Sequence, residues 1–168
     1  MNSKNIFFSL VMLCCVFFVF SLPAFADDDN NSIDKAFAKN FENDSNTVHE
    51  GIFVSSEYCK AWEVEFNNAI EWRKKKVTLK EDRELIEKFK KSVFEQAELA
   101  CNINLQCWAD EELKPSERAA KVGTAGISGI SMTKASFYKK AVLFLIQEYL
   151  QREGAYKYKY SGNGVDAR

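Results

Sequence analysis

Breakers are scarce in this chain. It has two prolines, Pro23 and Pro115, and seven glycines, all at or beyond Gly51. A polypeptide this poor in turn formers, rich in Lys and Glu and with apolar residues at helical spacing, reads as mostly helical. Histidine is almost missing: His49 stands alone in a polar stretch. A Cys–His or Ser–His nucleophile pair therefore has no well-placed imidazole. Charge of one sign is not in excess, with 23 basic against 24 acidic side chains. Nothing in that balance points to nucleic acid.

What is present begins with the first 26 residues. Lys4 is followed by the apolar run Ile6 to Phe20, then Pro23, then Ala24-Phe25-Ala26 ahead of Asp27-Asp28-Asp29. Charge, apolar core and small-x-small site in that order are the pattern of a secretory signal peptide. The run is about 15 residues, short of the roughly 20 that a spanning helix needs. Met12 and Leu13, ahead of Cys14 and Cys15, are not the small residues a lipidation cut prefers. The sequence thus predicts cleavage near Ala26 and a secreted or periplasmic product that meets the membrane only during insertion of its leader. Clipping removes one base and no acid, so the net charge moves from −1 to −2.

Four regions follow from composition. Residues 1–26 form the signal peptide. Residues 27–50 are acidic and polar and read as disordered, with one loose helical turn at Ile33, Phe37 and Phe41. Residues 51–153 form a helical domain, and residues 154–168 a Tyr/Lys/Gly tail. Asp27 to Glu50 carries seven acids and two lysines, whereas Met132 to Arg168 carries seven bases and three acids.

Within the domain, periodicity predicts a first helix over 57–76, capped by Ser55 or Ser56. Its apolar stripe is Tyr58, Trp62, Phe66 and Ala69-Ile70. The cationic run Arg73 to Lys76 ends it and complements the macrodipole. Trp72 lies off the stripe and is expected to face out. Thr78-Leu79-Lys80-Glu81 reads as a capping box opening a second helix over 79–102. Its buried stripe is Ile86, Phe89, Val93, Ala97 and Ala100, and Glu84–Lys88 and Glu87–Lys91 are its i,i+4 pairs. A last helix over 132–153 turns Phe137, Ala141, Phe144-Leu145 and Tyr149 inward. Its apolar centre, Ala141 to Ile146, makes it the central helix. In the tail, Tyr156-Lys157-Tyr158-Lys159-Tyr160 alternates like a strand, with Gly51 to Val54 as its candidate partner.

Three cysteines survive cleavage: Cys59, Cys101 and Cys107. An antiparallel helix pair brings the start of the first helix beside the end of the second, so Cys59–Cys101 is the expected disulfide and Cys59–Cys107 the alternative. The leftover thiol is either a small buried side chain or an intermolecular link. Cys101 and Cys107 lack zinc spacing, and no metal or cofactor site is expected. The carboxylates Glu63, Glu65, Asp110, Glu111 and Glu112 read as solvated.

Gly123, Gly126 and Gly129 recur at every third position without the Gly-Lys-Ser/Thr of a phosphate loop. They read as a connector, as a close helix contact, or as an N–H concavity capped by Ser131 or Thr133 where an anion could dock. Together with Tyr156, Tyr158 and Tyr160, whose composition suits protein contact, they are the candidate binding residues. The expectation is an all-α, disulfide-stapled bundle of three main helices plus short ones, acting as a non-enzymatic protein-binding module. Envelope accessory, inhibitor and immunity-type protein are the roles it fits, with another protein as partner. The alternatives are a carboxylate-dependent envelope hydrolase and a small-ligand or lipid carrier.

Overall fold

A computed structural model describes residues 31–42, 47–106, 112–118, 120–153, 156–162 and 164. The expected leader and cleavage site, Cys107, Trp108, Asp110 and Glu111 lie outside the described residues, as does the side chain of Tyr149. The described chain is all-α: α1 (Ser32–Phe41), α2 (Val48–Lys76), α3 (Lys80–Leu105), the single turn α4 (Pro115–Arg118) and α5 (Thr124–Glu153).

α1 corrects the expectation of a disordered N-terminal segment. The spacing by four of Ile33 and Phe37 is a full apolar stripe, and both side chains are buried. Asn31 starts the helix by accepting from the Asp34 N–H at 2.7 Å, an N-cap that satisfies one of the orphan donors of the first turn.

α2 starts nine residues earlier than expected, at Val48. Its cap is Thr47, not Ser55 or Ser56: the Thr47 hydroxyl accepts from the Glu50 N–H, and the Glu50 carboxylate takes the Thr47 N–H at 2.6 Å. The reciprocal bonds extend the helix through Gly51 to Val54, so that segment is helical and not a strand. α3 begins after Leu79 with no side-chain cap, so the box expected at Thr78 does not form. It runs through Asn102-Ile103-Asn104 without interruption.

α5 is the central helix and packs against both α2 and α3. Ala135, Val142 and Ile146 are wholly buried on it. Phe144 departs from the expected stripe, since it is 55% exposed, with its ring tilted against Phe89 at a centroid distance of 5.4 Å. The deepest large side chains are Trp62, Phe66 and Ile70 of α2, with Phe37 of α1. Phe66 stacks on Tyr138 at 5.8 Å and meets Phe94 edge-on, so one ring joins α2, α3 and α5. Ion pairs on the wet side also differ from expectation: Glu87 pairs with Lys74 across the α2–α3 turn at 2.5 Å. No helix of the described residues is long and apolar enough to cross a membrane.

Candidate functional site: the tail groove

The C-terminal tail returns to the helices and lies in a groove formed by α1 and α2. Its alternation is used there. Tyr156 is buried and Tyr158 and Tyr160 are half-buried, while Lys157, Lys159 and Ser161 between and beside them are exposed. The period of two that reads as a strand lays the tail across helices with one face inward.

Glu65 is the floor of this groove. It sits on the buried face of α2, three residues after Trp62 and four before Ala69, and its exposure is 0%. Its Oε1 accepts from the Tyr156 phenol and from Asn68 Nδ2 at 3.0 Å. Its Oε2 accepts two successive main-chain N–H groups, Lys159 at 2.8 Å and Tyr160 at 3.2 Å. Asn68 also donates to the Tyr156 oxygen at 3.1 Å, which closes a three-membered network. Burial, followed by the bond to Glu65 and its negative charge, pushes the Tyr156 phenol far above the usual range. Sequence reading placed Glu65 on a solvated face. Its helical phase with Trp62, Ala69 and Trp72 was the available signal, since positions three and four apart share a side.

Aromatic rings line the walls. Tyr156 meets Trp72 edge-on at 5.2 Å, Tyr158 meets Trp62 at 6.4 Å, and Tyr160 lies 5.8 Å from Phe37. Trp72 is therefore half-buried by the tail and does not face out. The Ser32 hydroxyl donates to the Tyr160 carbonyl at 3.2 Å. Gly164 has a φ of +80°, and a Cβ there would run into the Ala36 carbonyl and the Asn40 side chain, so the chain's close approach to α1 requires glycine.

A second polar knot braces the groove from behind. Asp34 accepts from the Tyr58 phenol at 2.6 Å, from Asn31 Nδ2 at 2.8 Å and from the Lys139 ammonium at 2.7 Å. Burial pushes its carboxyl up. The bonds from Lys139, Tyr58 and Asn31 outweigh that effect and hold it below the usual value. Three helices are tied by this one side chain.

The glycine series lies elsewhere, at the start of α5. The Gly123 carbonyl accepts the Ile127 N–H at 3.2 Å, and Gly126 and Gly129 fall within the helix. The stretch is therefore mostly helix and not a connector. Ser131 donates back to the Ile127 carbonyl and Thr133 accepts from Asn104 at 2.9 Å, so neither caps an anion pocket. The structure thus does not bring the glycines and the tail tyrosines into one described surface.

Cys59 and Cys101 are both buried and both free thiols; the expected bridge between them is absent among the described residues. They face the same stretch of α5: Cys101 Sγ lies 3.6 Å from the Ile130 carbonyl, and Cys59 meets the backbone of Ala135. Burial, then the charge of Glu63, pushes the Cys59 thiol up to about 11. Among the described residues no three metal-ligating side chains gather. In comparisons with known proteins, no family model, curated protein or solved structure matches this chain.

Proposed function

We propose that this chain is an exported, non-enzymatic protein-binding module that serves as an envelope accessory, inhibitor or immunity-type protein. Export rests on the order of Lys4, the apolar run and Ala24-Phe25-Ala26. The binding reading is carried by the outer line of α3. Leu85, Leu99 and Ile103 are 60%, 61% and 54% exposed and share that line, being 14 and 4 residues apart. The opposite side holds Val93, Ala97 and Cys101 in the core. Large apolar groups on the wet side of a helix are the area a partner's apolar helix face covers. The carboxylates that acid–base chemistry would draw on, Glu65 and Asp34, are instead saturated by bonds that hold the fold together.

Export also gives the two buried thiols a role. In an oxidising compartment Cys59 and Cys101 close the staple by giving two electrons and two protons to a thiol oxidant.

The test is purification from the secreted or periplasmic fraction. The product should begin at Asp27, weigh two hydrogens less before reduction than after it, and form a discrete complex. Leu99→Asp with Ile103→Asp should abolish that complex with helicity unchanged. A product beginning at Met1, or a complex indifferent to both substitutions, overturns the reading.

A further inference from the structure

We propose that residues 156–162 are a releasable strap, and that the groove beneath them takes, when open, an extended segment of a partner protein with aromatic side chains at alternate positions. The proposal rests on the protein-binding reading above but uses a different surface from the outer line of α3.

The strap is held through side chains: its three rings pack against Trp72, Trp62 and Phe37. Its bonds to the helices converge on Glu65 and Asn68, with Ser32 holding the Tyr160 carbonyl. The intervening residues Lys157, Lys159 and Ser161 are exposed. A terminal segment outside the helices, joined to them through side chains, belongs to the part of a fold that opens before the core does.

The floor of the groove is a charge. Glu65 is fully buried, and the phenol, the amide and the two backbone N–H groups that bond it are neutral donors. Desolvating a carboxylate is costly even when its acceptor sites are filled. Lifting the strap returns water to Glu65 and recovers that cost, which an apolar floor would not do. Burial of the tyrosines opposes opening, so the closed form dominates without being locked.

The recognition is generic in sequence and specific in shape. One carboxylate oxygen reads two consecutive main-chain N–H groups, and Trp72, Trp62 and Phe37 receive rings at every second residue. Any extended segment with rings at i, i+2 and i+4 and free N–H groups at i+3 and i+4 offers the same features. This is main-chain affinity combined with alternate side-chain pockets, the logic of extended-peptide recognition. The tethered tail competes at an effective concentration on the order of millimolar, so it filters out weak ligands.

The experiment uses the full exported chain. Amide hydrogen exchange should show Lys159 and Tyr160 exchanging about 100-fold faster than Phe66 and Val142. A labelled synthetic peptide with the sequence of residues 155–164 should bind saturably by fluorescence anisotropy, and the same peptide with its three tyrosines replaced by serine should not. Replacing Tyr156, Tyr158 and Tyr160 by serine in the full chain removes the competitor and should tighten peptide binding about tenfold, with folding checked by circular dichroism. Should that variant not fold, the wild-type exchange and titration decide alone.

Tail amides that exchange only together with the core, or no saturable peptide binding, overturn the proposal. Dimers that grow with concentration and dissolve in excess peptide would assign the groove to a second copy of this chain, which also overturns it. A complex that is lost with Leu99→Asp and Ile103→Asp while the peptide fails to bind would leave the binding reading standing and remove only the strap.

Discussion

The phenol of Tyr156 donates to the buried carboxylate of Glu65, a residue 91 positions earlier in the chain. Through this bond the last segment of the polypeptide becomes part of the core. Glu65→Ala leaves a phenol, a side-chain amide and two backbone N–H groups without their acceptor. A buried neutral donor left without its acceptor costs about 1–3 kcal/mol, and here several are stranded together. Tyr156→Phe keeps the ring against Trp72 and removes one donor, at a cost of about 1–2 kcal/mol. Urea unfolding of both variants should rank them in that order, and equal midpoints for wild type and Glu65→Ala would show that the tail contributes nothing to stability.

Asp34 predicts the acid limb of the stability curve. Its carboxyl is lowered in the folded state because the bonds from Lys139, Tyr58 and Asn31 outweigh the opposing effect of burial. A group depressed on folding stabilises when ionised. That contribution is complete above the ordinary carboxylate range and is lost as pH falls through the lower folded value. Asp34→Asn should therefore cost about 1–2 kcal/mol at neutral pH, the worth of hydrogen bonds to a charge. The gap from wild type should close as the pH drops below about 4. Denaturation at pH 7 and pH 3 gives the comparison, and a gap of constant size would mean the Asp34 knot is not ionic.

The helical class was legible because the stripes of α2 and α3 repeat at helical spacing and breakers are few. Their ends were less so. Thr47 and Glu50 carry the same capping pattern as Thr78 and Glu81, yet only the first pair closes a box, because the second helix starts one residue later, after Leu79. α1 was obscured by its Asp, Asn and Ser content: Ile33 and Phe37 have the right spacing, but the surface they bury against comes from Tyr58 and Tyr160, distant in sequence. Glu65 was hidden for a related reason. Its phase says inside and its charge says outside, and the donors that reconcile the two arrive from the tail. The aromatic alternation of 156–160 was plain, but the surface it lies on could not be read from the tail alone.

The thiols give a chemical prediction. With Cys59 pushed up to about 11 by burial and by Glu63, and Cys101 raised by burial, little thiolate exists at either site near neutral pH. The thiolate is the nucleophile, so the folded, reduced protein should alkylate with iodoacetamide at pH 8 about 100-fold more slowly than the same chain in denaturant. Cys107 is best replaced by serine for this measurement, so that the two buried positions report alone. Equal rates in the folded and unfolded states would contradict the burial of both.

The glycines of α5 separate two effects that sequence alone merges. At Gly129 a Cβ would meet nothing within 4 Å, so Gly129→Ala gains helix propensity without a clash. It should stabilise by about 0.5–1 kcal/mol. At Gly126 the added Cβ would sit 2.7 Å from the Val122 Cβ and 3.1 Å from its Cγ2, against a buried and β-branched neighbour that cannot swing away. Gly126→Ala should destabilise by about 1–3 kcal/mol, the cost of overpacking. At this chain length 1 kcal/mol moves the melting midpoint by about 2–4 °C, so calorimetry resolves the pair. The double variant Gly126→Ala with Val122→Gly tests the cause directly, because glycine at 122 removes the Cβ and both Cγ atoms and should cancel most of the penalty of Gly126→Ala relative to Val122→Gly alone. If the penalty persists in that background, the need for glycine at 126 comes from the backbone and not from Val122.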